Sequence, residues 1–229
     1  MHLDVLAIGN ALVDIVSEGS DASLEDMGLV KGSMTLIDSD RALELYEQIG
    51  PSIESSGGSA ANTMVGLAQA GHAIGFIGRV CDDELGSVFE HDLKACGVDF
   101  RATPAADALP TGRCFVVVTP DRERTMATSL GASSHINPSD VDESHLIGTK
   151  VLYLEGYLWD LEDAKSTLRK AANDSISHGT SVAFTLSDPF CVERHRDEFI
   201  LWPRQRDHHL VPDWANEPRS CPVWVGENN

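Results

Sequence analysis

Short apolar runs alternate with longer amphipathic ones along most of this chain. Residues 4–8 and 13–17 read as strands, and residues 33–37 as a third. Asp38-Ser39-Asp40 then offers N-cap chemistry to a helix with Ala42, Leu43, Leu45, Tyr46 and Ile49 on its inner stripe. Residues 59–70 are small and apolar and stop at Gly71, a residue suited to the left-handed position past a helix end. A buried strand over 74–78 follows. After it comes an amphipathic helix over 83–96, with Leu85, Val88, Phe89 and Leu93 inward and Gly97 as its stop.

The middle of the chain changes period. Residues 113–119 and 124–129 flank Pro120-Asp121-Arg122-Glu123, which reads as a hairpin with a proline-initiated turn. The earlier rhythm then returns as a strand over 151–155, a long helix over 161–178 and a strand over 181–185. Strands separated by helices imply βαβ units and a mostly parallel sheet. The hairpin, together with 33–37, is expected as a separate antiparallel piece laid over that sheet.

Charge narrows the partners. The 229 residues carry 36 Asp and Glu against 17 Lys and Arg, a formal net charge of −19, with no basic cluster. Such a field repels phosphate backbones and anionic membranes, so no nucleic acid and no membrane is expected as a partner. No apolar run approaches the ~20 residues of a membrane span, and the N-terminus lacks a basic leader region. Five widely spaced cysteines without a C-x-x-C pair fit thiols in a reducing cytosol, so a cytoplasmic location is expected. Cys191 and His195 share a helix face and His208-His209 are adjacent, but two ligands do not make a zinc site.

Residues 200–229 break the rhythm. They hold three of the four tryptophans (Trp202, Trp214, Trp224) and four of the ten prolines, with four acids against three bases and no period. The expected organisation is a core over 1–199 and a divergent, poorly ordered tail over 200–229. A change of reading frame near Phe199 accounts for the shift in composition better than a natural tail does.

The densest chemical signal is Ser55-Ser56-Gly57-Gly58-Ser59-Ala60-Ala61-Asn62, a glycine pair running into a helix. Two glycines permit close approach by a ligand, and the free N–H groups of a helix start are ready donors. Gly9-Asn10-Ala11-Leu12-Val13-Asp14 follows the first strand. This puts Asn10 and Asp14 at the carboxyl end of the sheet, where open α/β folds bind ligands. The carboxylates of Asp82-Asp83-Glu84 are explained by capping the helix they precede.

Gly57-Gly58, Asn62, Gly71 and Gly78 in this order and spacing, with Gly78-Arg79-Val80-Cys81-Asp82-Asp83-Glu84-Leu85-Gly86, resemble the N-terminal signature of the PfkB carbohydrate kinases. The resemblance runs from about residue 3 to 199. It implies a ribokinase-like three-layer α/β/α sandwich with a small β-sheet lid built from 33–37 and 113–129. It also implies transfer of the γ-phosphoryl group of ATP, with Mg, to a hydroxymethyl group of a sugar or nucleoside. By resemblance Asp14 grips acceptor hydroxyls with Asn10 beside it. Gly57, Gly58, Ser59 and Asn62 line the acceptor pocket, Glu155 stands near the substrate, and Arg124 reaches toward the transferring phosphate. Gly-Asn-x-Leu-x-Asp and Ser59 resemble adenosine kinases more than ribokinases, so an adenosine-like acceptor is favoured. By the same resemblance the lid is expected as a clasp for a homodimer.

The departures are equally specific. The family's Gly-Ala-Gly-Asp loop, source of its general base and phosphate-facing N–H groups, has no counterpart; Leu130-Gly131-Ala132-Ser133 lacks the aspartate and lies elsewhere. The Asn-x-x-Glu motif falls near Asn216-Glu217-Pro218-Arg219, with Arg in fourth place, and no Walker A loop replaces it. The expectation is a C-terminally truncated, catalytically incomplete kinase with its acceptor half intact. Open sheet and helix faces are expected to make it aggregation-prone. The alternative is a non-catalytic sugar- or nucleoside-binding module. A dinucleotide-binding oxidoreductase is disfavoured because no glycine-rich phosphate turn follows the first strand.

Overall fold

The computed structural model describes residues 2–101, 109–204 and 223–226. Strand β1 (Val5–Ile8) opens the chain, and β2 (Leu12–Glu18) leaves at once for a second sheet. Then come α1 (Asp21–Asp26), β3 (Met34–Leu36), α2 (Ser39–Gln48), β4 (Ser52–Gly57), α3 (Ser59–Gln69), β5 (Ile74–Ile77), α4 (Glu84–Ala95) and β6 (Val98–Phe100). The hairpin is β7 (Gly112–Val118) and β8 (Arg124–Ser129). It is followed by α5 (Glu143–Leu146), β9 (Val151–Glu155), α6 (Glu162–Ser177), β10 (Ser181–Thr185), α7 (Pro189–Arg204) and β11 (Val223–Gly226).

The main sheet has the order β11-β10-β9-β1-β5-β6 and is parallel except for β11. Its central strands are buried on both faces, which is why β1 and β5 read as continuous apolar runs. Alternation along β1 divides the core. Leu6 and Ile8 join the cluster under α6 and α7, while Ala7 joins the one under α3 and α4. Helices on both faces of one sheet make three layers, as expected.

The lid is a five-stranded sheet, β3-β8-β7-β2-β4. Ile15, Phe115, Val117 and Ala127 on one of its faces pack against Leu24, Met27, Ala42 and Leu45 of the α1–α2 region. Two strands here depart from expectation. Residues 13–17 belong to the lid rather than the main sheet, and Ser52–Gly57 is a strand where the sequence shows only a serine- and glycine-rich approach to a helix. On α2 the inner stripe is narrower than its periodicity indicates: Ala42 and Leu45 are buried, but Leu43 and Tyr46 are exposed.

Residue 199 is not a break in the backbone. Helix α7 continues to Arg204, and Trp202 is buried at 6% exposure. Its ring centroid lies 4.9 Å from that of Trp159 and 5.1 Å from that of Phe184. Within 200–204 a side chain thus closes the cluster under α6. Val223–Gly226 pairs antiparallel with β10. Residues 205–222 and 227–229, including Trp214 and Asn216-Glu217-Pro218-Arg219, lie outside the described residues. Among the described residues no helix is long and apolar enough to cross a membrane.

Candidate functional site

Asp14 stands on β2, and strand pairing places it in one transverse row across the lid: Ser55, Asp14, Cys114, Thr128, Leu36. Side chains in such a row share a face, and this face is opposite the one covered by α1 and α2. The next row in register is apolar: Ile53, Val16, Val116, Met126 and Met34. Asp14 therefore sits at the polar end of an apolar floor. Burial pushes its carboxyl above the usual range, and the positive charge of Arg124 on β8 opposes that shift. Asp14 thus reaches the site from the lid, not from the carboxyl end of the main sheet.

Gly57 makes room for it. A methyl group at Gly57 would overlap the Asp14 carboxylate. Gly58 has φ +95° and is the N-cap of α3, and a Cβ there would lie 2.5 Å from the Asn10 carbonyl oxygen. At Gly58 the backbone conformation and that contact both exclude a side chain, whereas at Gly57 a methyl group would force the Asp14 carboxylate to move. Helix α3 has no side-chain cap of its own. Ser59 and Asn62, in its first turn, are exposed beside the loop.

Glu155 ends β9 with no exposed surface. Its Oε1 accepts the backbone N–H of Asn10 at 2.5 Å and its Oε2 accepts that of Ala60 at 3.1 Å. The carboxylate thus caps α3 from below while holding the loop after β1. Burial pushes it up to about 7, against the pull of these hydrogen bonds. Asn10 is itself buried, and its Oδ1 accepts a hydrogen bond from the Ser133 hydroxyl at 3.0 Å.

The expected site residues therefore form three groups. Asp14, Gly57 and Gly58 meet at one junction, with Ser59 and Asn62 at its rim. Asn10 and Glu155 lie beneath it. Arg124 approaches from the hairpin, as an electrostatic neighbour of Asp14. Ser133, Cys114, Thr128 and Leu36 were not legible as site residues, since only strand register and a 3-10 turn at 131–135 bring them here. A cavity of 460 Å³ adjoins the row, lined among others by Leu36, Thr128, Leu130, Gly131 and His135.

Among the described residues no group of three or more His, Cys, Asp or Glu side chains is arranged to hold a metal ion. Cys191 donates to the Gly156 carbonyl and His195, at a kink in α7, pairs with Asp160, so the two are engaged separately. The sequence also carries no Gly-Ala-Gly-Asp string. The described residues gather a half-buried carboxylate, a glycine pair and the N-terminus of α3 at one junction.

Residues 43–197 match the pfkB family carbohydrate kinase model. Among curated proteins, 5-dehydro-2-deoxygluconokinase of Clostridium perfringens is 28% identical over 149 residues, 64% of this chain and 44% of that protein. Guanosine-inosine kinase of Escherichia coli is 27% identical over 199 residues, 82% of this chain and 46% of that protein. The chain thus spans less than half the length of these two curated relatives. The crystal structure of adenosine kinase from Sinorhizobium meliloti superposes with a TM-score of 0.82 at 47% identity, covering 90% of this chain and 63% of that one. That of a probable sugar kinase from Rhizobium etli gives 0.82 at 44% identity, covering 89% and 62%.

Proposed function

This chain belongs to the pfkB family of carbohydrate kinases, and we propose that it forms the acceptor half of an ATP-dependent nucleoside kinase. The observation that carries this reading is the transverse row on the lid. Asp14 stands second in it, next to Ser55 of the edge strand. Thr128 lies two strands away, about 10 Å at the ordinary strand spacing, and borders the 460 Å³ cavity beside Leu36. A ribose held by Asp14 through two adjacent hydroxyls leaves its base directed along this row toward Thr128 and Leu36, beside the apolar row of Val16, Val116 and Met126. A simple sugar would leave that apolar surface uncovered. The 47% identity to an adenosine kinase supports the same choice.

The role of each residue follows from its surroundings. Asp14 accepts hydrogen bonds from the acceptor hydroxyls, in a half-buried setting where a charge-assisted bond is strong. Gly57 and Gly58 allow the acceptor to approach the backbone. Ser59 and Asn62 offer polar groups at the rim, and Arg124 supplies positive charge on the side where a phosphoryl group would arrive. A homodimer through the lid would have to use its edges, β3 and β4. One lid face lies under α1 and α2 and the other carries Asp14.

Substitution of Leu36 by Asp tests the choice of acceptor. It should weaken binding of a purine nucleoside about tenfold, the loss of one apolar contact patch, and leave pentose binding unchanged. Equal loss for nucleoside and pentose, or none for the nucleoside, would contradict a base lying along this row.

A further inference from the structure

We propose that Glu155 is a positioning residue: it shapes the acceptor site by clamping the loop after β1 to the first turn of α3, and does not itself touch the acceptor. The inference rests on the acceptor-site reading above. Its geometry is direct. Glu155 has no exposed surface, and its two oxygens are used by the N–H groups of Asn10 and Ala60, one on each element. Those elements carry Asn10 and the start of α3, with Gly58 between them packed onto the Asn10 carbonyl. A Cβ at Gly9 would meet Ala60 Cβ at 2.6 Å and Glu155 Cδ at 3.0 Å, so the three chain segments are in close contact.

The clamp needs an ionised carboxylate, because a protonated one has an O–H where an acceptor is required. Burial places this titration near neutrality. The other titratable groups facing Glu155 are Tyr157 and Cys191, both pushed up by burial, the thiol to about 12. Across the loop stand Asp14, an acid raised by burial, and Arg124, whose positive charge opposes that shift. Acceptor binding should therefore strengthen as pH rises through the range in which Glu155 ionises.

The test uses the whole chain and its Glu155→Gln variant, with adenosine as probe, read by calorimetry and by amide hydrogen exchange. Glutamine keeps the shape but points an N–H₂ at one of the two backbone donors. Expected are faster exchange at Asn10 and Ala60 with the lid unchanged, roughly tenfold weaker adenosine binding at pH 8, and loss of the pH dependence between 6 and 8. Ser133→Ala, which removes the hydroxyl's contacts with the Asn10 side chain and the Leu130 carbonyl, should weaken binding in the same direction should the first variant fail to fold. Unchanged exchange at Asn10 and Ala60 in Glu155→Gln overturns the clamp, whatever the binding. Faster exchange with the wild-type affinity and pH profile overturns its role in the site. Wild-type protein that binds no nucleoside while losing protection in the variant instead overturns the acceptor reading and leaves a clamp without that purpose.

Discussion

A buried carboxylate is expensive unless hydrogen bonds replace its water, and the two acids of this site meet that demand differently. Asp14 is only partly buried; on the proposed reading, in which it holds acceptor hydroxyls, replacing it by Ala should cost about 1–3 kcal/mol of acceptor binding, the usual worth of a charge-assisted hydrogen bond. Titration calorimetry on the variant checks this, and an unchanged affinity would return Asp14 to the status of an ordinary lid acid. Glu155 shows itself in stability as well. Its folded value near 7 lies above the ordinary 4.5, so the folded state binds the proton more tightly. This group's contribution is then full below about 4.5 and lost as pH rises to about 7, roughly 3 kcal/mol in all. Denaturant melts of wild type and Glu155→Gln at pH 4.5 and 7.5 should differ by that change, with the wild type losing ground at the higher pH. A pH-independent difference would contradict the burial assigned to this carboxylate.

Elements with one strong period were legible. Strands β9 and β10 fall where apolar runs place them, and α3 and α4 stop at Gly71 and Gly97, both with positive φ. Elements whose face is set by a distant partner were not. Strand β4 is Ser-Ile-Glu-Ser-Ser-Gly, with little apolar content, and exists because six residues of β2 pair with it. The same pairing moves Asp14 off the main sheet and into the lid row. The site's glycine pair was visible in the sequence, but its reason was not. The two glycines are predicted to fail differently on substitution by Ala. Gly58→Ala sets a side chain at φ +95° and 2.5 Å from a backbone oxygen, so a loss of about 1–3 kcal/mol in stability is expected. Gly57→Ala meets only the end of the Asp14 side chain, which can swing aside. It should melt closer to wild type yet lose acceptor affinity. Equal melting losses with unaffected binding in Gly57→Ala would contradict the packing of Asp14 on Gly57.

At the scale of the molecule, the layer under α6 depends on aromatic packing contributed late in the chain. Trp159, Phe184, Phe199 and Trp202 have ring centroids 4.9 to 5.5 Å apart. Glu198 on α7 joins Trp159 Nε1, Lys165 and Arg169 at 2.9 to 3.1 Å. Composition alone could not show that Trp202 belongs to the core, because a single buried side chain past a period break leaves no pattern. Trp202→Ala should remove about 3–5 kcal/mol, the cost of a large aromatic cavity, and lower the melting temperature accordingly. An unchanged melt would place Trp202 outside the cooperative unit. The central claim concerns the acceptor half as a whole, and calorimetry of the intact chain with a series of nucleosides and pentoses tests it most directly. The account predicts saturable binding of a nucleoside, tighter than any pentose and weakened in Asp14→Ala; no saturable heat with any of them, or binding indifferent to Asp14, would contradict it.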